Sequence, residues 1–402
     1  MRPFVSILAC ALLACPSALV AQEQLPRSLS FDTRYVTQPY SNEAVAQFGI
    51  EILDLAVTPA ELVTVGGSGG HLLRGILVMT STGLLSRAYK LSFHEFGHGT
   101  RGAAWGFHPY FGYGGVPLNP NPAELDDDFF SYFAGSLWER GGYTYLPAGD
   151  TLFSPPGQAE LDAAGFAMVW KAAGINNEML ISEKLEDRIR RGGAHAGMLT
   201  SWAFSKIAPD RYGNAHRIGD VDSVLDWYDD QGFEIERGDL RSGAIVATLA
   251  SASTYELVYR TGRVLAGDPI RYRAWAPFGV ELPNVSFYLT SSGISYKVSS
   301  GYRLGRWRFP VKVERVFRGH RRTEYTVGGE WAPGPYHFGT RVTIGEHTAG
   351  AAFVDRLVAE RFLVAGGYTL YDSRNLLGER MIPSIESGPR YNDFFLRVGV
   401  VY

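Results

Sequence analysis

Cysteine is almost absent from this chain of 402 residues, which contains only Cys10 and Cys15. Both lie in a predicted signal peptide, so the mature chain retains at most one and an internal disulfide is excluded. The formal net charge of −3 shows no excess of basic residues, and nothing in the composition predicts nucleic-acid binding. No later segment offers about 20 consecutive apolar residues, so no transmembrane helix is predicted. The fold must therefore be stabilised by its core, by a metal ion or by a membrane.

Residues 1–21 are predicted to be the signal peptide of an exported bacterial protein. Arg2 supplies the positive start, residues 4–13 supply a short apolar run, and Ala21 is a small residue at a plausible cleavage site. A second interpretation is a lipoprotein signal, because a short apolar run directly precedes Cys15, which would then carry the lipid. Both interpretations predict that the chain leaves the cytoplasm.

The most informative motif is the segment His94-Glu95-Phe96-Gly97-His98, which has the spacing HExxH. Residues four apart lie on one face of a helix, so both imidazoles can face one ion, and Glu95 can hold a water molecule against it. Two neutral nitrogens and a neighbouring carboxylate suit zinc-assisted hydrolysis. Glycine is a poor helix former, so Gly97 and Gly99 predict either close packing at this helix or its end soon afterwards.

This motif resembles that of the zincin metallopeptidases whose third zinc ligand is a glutamate on a later helix. The resemblance is confined to the five-residue motif and to one later helix. It implies that His94 and His98 bind Zn2+, that Glu95 is the general base, and that a peptide bond is hydrolysed. It also implies a third ligand, for which Glu178 and Glu183 are the candidates.

Glu178 is the preferred third ligand. It shares a helix face with Ile181 and Leu185, so it points toward the interior, where a carboxylate needs a metal ion or another cation. Glu183 stays open as the alternative, because it begins a Glu-x-x-x-Asp pattern that resembles one in some membrane-associated zincins. His195 lies in a glycine-rich segment after this helix and is the candidate catalytic donor to the developing oxyanion.

Two acidic segments are interpreted as helix starts rather than as metal ligands. Asp220 lies near His216 and Asp222 in a polar cluster that could orient metal ligands. It also has the chemistry of a helix N-cap, and we favour this interpretation. Asp128 ends a run of three aspartates, and acidic residues are favoured where a helix begins.

Residues 22–265 are predicted to form a mostly helical domain. Apolar residues recur at helical spacing in eight segments, which are separated by loops rich in glycine, proline and asparagine. The predicted helices cover residues 43–62, 71–98, 126–140, 158–174, 176–191, 194–207, 220–229 and 242–266.

Residues 266–402 are predicted to form an antiparallel β-barrel of about eight strands. Apolar and charged residues alternate over segments of about ten residues, as where Trp307 and Phe309 flank Arg308. The last segment, which ends on Tyr402, resembles the terminal strand of bacterial outer-membrane β-barrel proteins. That resemblance implies that the apolar residues face lipid and the charged residues face the lumen. A soluble barrel or sandwich with the apolar residues inside stays open, because both arrangements bury one face.

The sequence therefore predicts an α+β protein with a helical, zincin-like domain followed by an antiparallel barrel. Its predicted function is that of a zinc-dependent metallopeptidase of the bacterial cell envelope. We expect it at the outer membrane, in contact with lipid, with a periplasmic helical domain and with envelope proteins or peptides as substrates. The periplasm is the alternative location. The alternative function is an outer-membrane pore or scaffold whose helical domain binds partners without catalysis.

Overall fold

A computed structural model describes most of the chain. The described residues are 28–37, 41–62, 68–104, 107–114, 121–139, 141–147, 163–213, 219–334, 336–345, 348–359, 361–371 and 391–401. They form an α+β protein with a helical N-terminal half and a large antiparallel sheet in the C-terminal half, as the sequence predicts. The predicted signal peptide, with Cys15, lies outside the described residues, as do His216 and Tyr402.

The helices of the described residues are labelled in chain order. They are α1 (Arg34–Thr37), α2 (Asn42–Leu62), α3 (Ser68–Ala104), α4 (Phe129–Ser136), α5 (Ala163–Arg188), α6 (Ala196–Gly213), α7 (Asp220–Asp230), α8 (Arg237–Leu249) and α9 (Ala252–Leu265). Asp128 is the N-cap of α4, and its side chain accepts hydrogen bonds from two backbone N–H groups of that helix, so the helix start predicted there is confirmed. Within this part of the chain, none of the helices combines the length and the hydropathy needed to span a bilayer.

Helix α5 is the central helix of the molecule. It packs against α3, α6, α7 and the sheet, and every residue from 172 to 183 is buried. The two helices predicted over residues 158–174 and 176–191 form one continuous helix, so the predicted separation between them is wrong. Gly174 has no side chain, and a Cβ atom there would collide with the imidazole of His94. The glycine therefore allows α3 and α5 to approach closely rather than ending a helix.

The strands are also labelled in chain order. They are β1 (Ser28–Asp32), β2 (Tyr110–Tyr113), β3 (Gly142–Tyr145), β4 (Ala194–His195), β5 (Arg271–Tyr272), β6 (Val280–Thr290), β7 (Gly293–Leu304), β8 (Trp307–Gly319), β9 (Thr323–Trp331), β10 (Tyr336–Ile344), β11 (Thr348–Ala359), β12 (Phe362–Tyr371) and β13 (Tyr391–Val401). Two short pairs, β2 with β3 and β4 with β5, lie outside the large sheet.

The large sheet has nine antiparallel strands in the order β1-β13-β12-β11-β10-β9-β8-β7-β6. Its last eight strands agree with the predicted number. The ninth, β1, comes from before the helices and pairs with β13, with Ser30 opposite Gly399. Among the described residues the sheet is open, because β1 and β6 are edges and do not pair with each other. The closed barrel predicted from the sequence is therefore not observed.

The sheet buries its charged face and exposes its apolar face. The side chains of Arg308, Glu314 and Glu330 are buried, with exposed fractions of 5%, 2% and 1%. Trp307 and Val327, on the other face, are 47% and 51% exposed. The alternation of apolar and charged residues left open which face of the sheet is buried. A buried charged face is the arrangement that the resemblance to outer-membrane strands implies.

The C-terminal end of α5 reaches onto the charged face of the sheet. Asp187 accepts hydrogen bonds from Arg308 at 2.9 Å and from Arg341 at 3.0 Å. Arg191, just after the helix, donates to Glu330 at 3.0 Å. Buried ion pairs therefore join the helical half to strands β8, β9 and β10.

Candidate metal centre

His94 and His98 lie on one face of α3, as the motif predicts, and only 4% and 3% of their surfaces are exposed. Their ring centroids are 5.1 Å apart. Helix α3 continues well beyond the motif, so close packing is the correct interpretation of Gly97. A Cβ atom at this glycine would lie 2.6 Å from the carbonyl oxygen of Ala173 and 2.8 Å from Asn177, both in α5.

The Nδ1 atom of each histidine faces an acceptor on α5. His94 Nδ1 lies 2.7 Å from Glu178 Oε1, and His98 Nδ1 lies 2.6 Å from the carbonyl oxygen of Trp170. A carbonyl oxygen only accepts, so His98 Nδ1 must carry a hydrogen. Such contacts fix the tautomer and the orientation of metal-binding histidines and leave Nε2 for the metal.

The Nε2 atoms of both histidines face the carboxylate of Asp220. The distances to Asp220 Oδ2 are 3.3 Å from His98 and 3.9 Å from His94. In neutral imidazole the Nε2 lone pair would point at a carboxylate lone pair, which is unfavourable unless a proton or a metal ion lies between them. Bonds of about 2.0–2.1 Å in a tetrahedral metal site separate ligand atoms by about 3.3 Å. The His98–Asp220 distance equals this value and the His94–Asp220 distance is longer, so the group could hold a metal ion.

Asp220 is placed by the start of α7. Its predicted role as N-cap is wrong, because Gly219 occupies the N-cap position and its N–H donates to Asp222 at 3.1 Å. Asp220 is the first helical residue, and its side chain is free to turn toward the histidines. Lys171 donates to its other oxygen at 3.0 Å. Asp222 lies three residues after Gly219, where a capping box carries its acceptor, but Gly219 lacks the side chain that would complete such a box.

The carboxylates around His94 and His98 strongly favour a positive charge between the two histidines and Asp220. Burial by itself raises the pKa of Asp220, but the charge of His98 and hydrogen bonds to both histidines hold that pKa well below its usual range. Burial by itself lowers the pKa of His94, but its contacts with Asp220 and Glu178 raise that pKa to about 10. The carboxylates therefore attract either protons or a metal ion to the two Nε2 atoms.

Glu95 lies beside the histidines, next to the antiparallel pair formed by β2 and β3. Thr144 of β3 donates its hydroxyl to the Glu95 backbone oxygen at 2.8 Å and contacts Glu95 Oε2 at 3.1 Å. The hydroxyl of Tyr132 is buried nearby, and burial together with the negative charge of Glu95 raises the pKa of Tyr132. Neither Thr144 nor Tyr132 carries a signal in the sequence, because they come from separate elements that only folding brings to α3.

The other predicted site residues lie elsewhere. Glu183 accepts hydrogen bonds from Tyr288 at 2.7 Å and from Lys297 at 3.0 Å, on the charged face of the sheet. His195 is fully buried; its Nδ1 accepts the Met198 N–H at 3.2 Å, and its Nε2 lies 3.7 Å from Asp54. Neither belongs to the group formed by the two motif histidines and the aspartate of α7.

Comparisons with protein-family models, with curated proteins and with solved structures return no match for this chain. Within the described residues, His94, His98 and Asp220 are the group whose ligand atoms all lie within 4.8 Å of one another. This donor set, two imidazole nitrogens and one carboxylate oxygen, is one that could hold a divalent metal ion.

Proposed function

We propose that the protein is a zinc-dependent metallopeptidase of the bacterial cell envelope. The observation that carries the proposal is the convergence of His94 Nε2, His98 Nε2 and the Asp220 carboxylate, with acceptors on the opposite side of both rings. Three protein ligands with a fourth position open to water are typical of catalytic rather than structural zinc sites. Asp220 is partly exposed, and we expect water to reach the fourth position from this side.

Asp220 is our proposed third ligand, in place of Glu178. Both histidines turn Nε2 toward Asp220, whereas Glu178 contacts Nδ1 of His94. One histidine cannot present the same ring nitrogen to a metal ion and to a carboxylate acceptor. Glu178 therefore orients His94 and increases the basicity of its Nε2 atom.

The residues around the site supply the remaining chemistry. When bound, zinc lowers the pKa of a coordinated water molecule and polarises the scissile carbonyl group. Glu95 is the proposed general base, which accepts a proton from the attacking water and passes it to the leaving amine. Thr144 holds the Glu95 carboxylate in place through its hydroxyl group.

We also propose that the apolar face of the sheet contacts the lipid of the outer membrane. Strands β6–β13 contain 9 to 13 residues each, and about 9–11 residues suffice for a tilted strand to cross a bilayer. Soluble proteins seldom expose an apolar surface that extends over a whole sheet. In a pore, by contrast, the inner face would line a channel, and here the end of α5 occupies it.

The proposed activity is tested by combining metal analysis with a Glu95→Gln variant. We expect purified wild-type protein to contain about one zinc ion per chain and to cleave a fluorescently labelled unfolded protein such as casein. Glu95→Gln should retain zinc but lose activity by at least about 100-fold, because the base is removed while the ligands remain. Glu139→Gln, at an exposed position, is the matched control and should retain full activity.

Two results would contradict this proposal. Undiminished activity of Glu95→Gln would exclude the general-base role. A wild-type protein that binds no zinc would favour the alternative, a membrane scaffold whose helical half binds partners without catalysis.

A further inference from the structure

The edge of β6 that faces away from β7 forms hydrogen bonds with side chains of the helical half. The hydroxyl of Ser251, between α8 and α9, accepts the Val285 N–H at 2.9 Å. The side-chain amide of Asn176, in α5, donates to the Leu289 carbonyl oxygen at 2.8 Å and accepts the Leu289 N–H at 2.9 Å. An exposed edge would leave these groups to water or to another chain.

The opposite edge, β1, is bound in the same way by α2. The backbone N–H and the hydroxyl of Ser30 both donate to Glu51 at 2.7 Å. Helix α2 packs against α3, α3 packs against α6 and α9, and α8 and α9 pack against β6. The helices therefore bridge the gap between the two sheet edges, and strands and helices together form a mixed wall around α5.

The outer surface of the helical part of this wall is apolar. From residue 72 to residue 84 of α3, the exposed positions are Leu72, Leu73, Ile76, Leu77, Thr80 and Leu84. Ile245 of α8 and Val258 of α9 are 43% and 73% exposed. The apolar surface thus does not stop at the edge of the sheet but continues across the helices that bind it.

We propose that the whole mixed wall, helices as well as strands, lies in the lipid bilayer. This inference rests on the lipid contact proposed above for the sheet. A protein partner would cover one side, whereas only a bilayer covers apolar surface that continues from the sheet across both of its edges. Open sheet edges are not tolerated in lipid, and here both edges are bound by polar side chains from the helical half, including Asn176 of the enclosed α5. These helices need only one apolar face, since their other face packs inside the wall.

The metal group then lies at one end of the embedded body, facing water. Helix α7, which carries Asp220, lies over the β6–β7 turn, where the Tyr228 hydroxyl donates to the Thr290 carbonyl at 3.0 Å. The exposed positions of α7 include Asp229 and Asp230, which cannot face lipid at low cost. The opposite end of the strands carries aromatic residues such as Trp307. The substrate class that fits is therefore a peptide segment presented at the membrane surface.

Site-directed nitroxide labelling in phospholipid vesicles tests this inference. Single cysteines replace Ile76, Val258, Val311 and Asp230 in the full chain with Cys10 and Cys15 changed to serine, and collisions with oxygen and with a water-soluble nickel chelate are compared. Labels at Ile76→Cys and Val258→Cys should match the label at Val311→Cys on the sheet, with oxygen collisions exceeding nickel collisions. The label at Asp230→Cys should show the reverse ratio.

The labelled positions distinguish failure of this inference from failure of the proposed lipid contact of the sheet. If Ile76→Cys and Val258→Cys report water while Val311→Cys reports lipid, the helical half lies outside the bilayer and the inference is wrong. If Val311→Cys also reports water, the proposed lipid contact of the sheet is wrong as well. The zinc content of the same preparations tests the metal site independently of either result.

Discussion

At the residue scale, two carboxylates contact the motif histidines from opposite sides. Glu178 faces Nδ1 of His94, and Asp220 faces Nε2 of both rings. The inward orientation predicted for Glu178 is confirmed, since 1% of its surface is exposed. Its role as third ligand stays a prediction, which competes with our proposal of Asp220.

Substitution of each carboxylate distinguishes the two assignments. Asp220→Ala should lose its zinc during purification, because it removes a ligand. Glu178→Gln should keep zinc but bind it about 10- to 100-fold more weakly, as is usual when a group that orients a histidine ligand is changed. Zinc affinity is measured by competition with a chelator.

Asp226→Ala is the matched control, because Asp226 lies on the same helix and is exposed. It should bind zinc like the wild-type protein. The opposite pattern, with zinc lost in Glu178→Gln and retained in Asp220→Ala, would support the ligand chosen from the sequence.

At the element scale, the distance between α3 and α5 controls the site. The histidines lie on α3, and both acceptors of their Nδ1 atoms lie on α5. Gly97 and Gly174 stand where the two helices touch. A larger residue at either position forces the helices apart and moves the rings away from their acceptors.

Gly97→Ala should therefore destabilise the fold by about 1–3 kcal/mol, the usual cost of overpacking, and weaken zinc binding. Gly83→Ala, in the same helix, is the control, because a Cβ atom there meets only Phe204, at an ordinary 3.9 Å. It should be neutral or stabilise the protein by up to about 1 kcal/mol. Thermal unfolding with and without zinc measures both effects, and equal behaviour of the two variants would refute the close-packing argument.

At the scale of the whole molecule, a buried ion network joins the helical half to the sheet. Arg308 donates to Glu281 at 2.7 Å and to Glu330 at 3.0 Å, both on the sheet, and to Asp187 on α5. Charges buried in this way are tolerated only when all of them are paired. We therefore expect the two halves to unfold in one transition.

Arg308→Met should destabilise the protein by about 3–5 kcal/mol, because it leaves Glu281, Glu330 and Asp187 without their shared partner. Arg263→Met removes an exposed ion pair with Asp268 and should leave the free energy of unfolding nearly unchanged. Denaturant unfolding in detergent, followed by tryptophan fluorescence, gives both free energies. Two separate transitions in the wild-type protein would show that the halves are independent.

The sequence by itself determined the features that depend on neighbouring residues. Helical spacing placed His94 and His98 on one face, and strand alternation separated Trp307 from Arg308 onto opposite faces. These predictions succeed because the helix and strand repeats act within a few residues.

Only the tertiary structure decided the rest. It brought Asp220 to the histidines, although local capping rules favoured another role for it. It decided that the charged face of the sheet is the buried one, and it added β1 to a sheet that stays open among the described residues. The physical reason is that these features depend on how distant elements pack around α5, and a periodic pattern is the same whichever of its faces is turned inward.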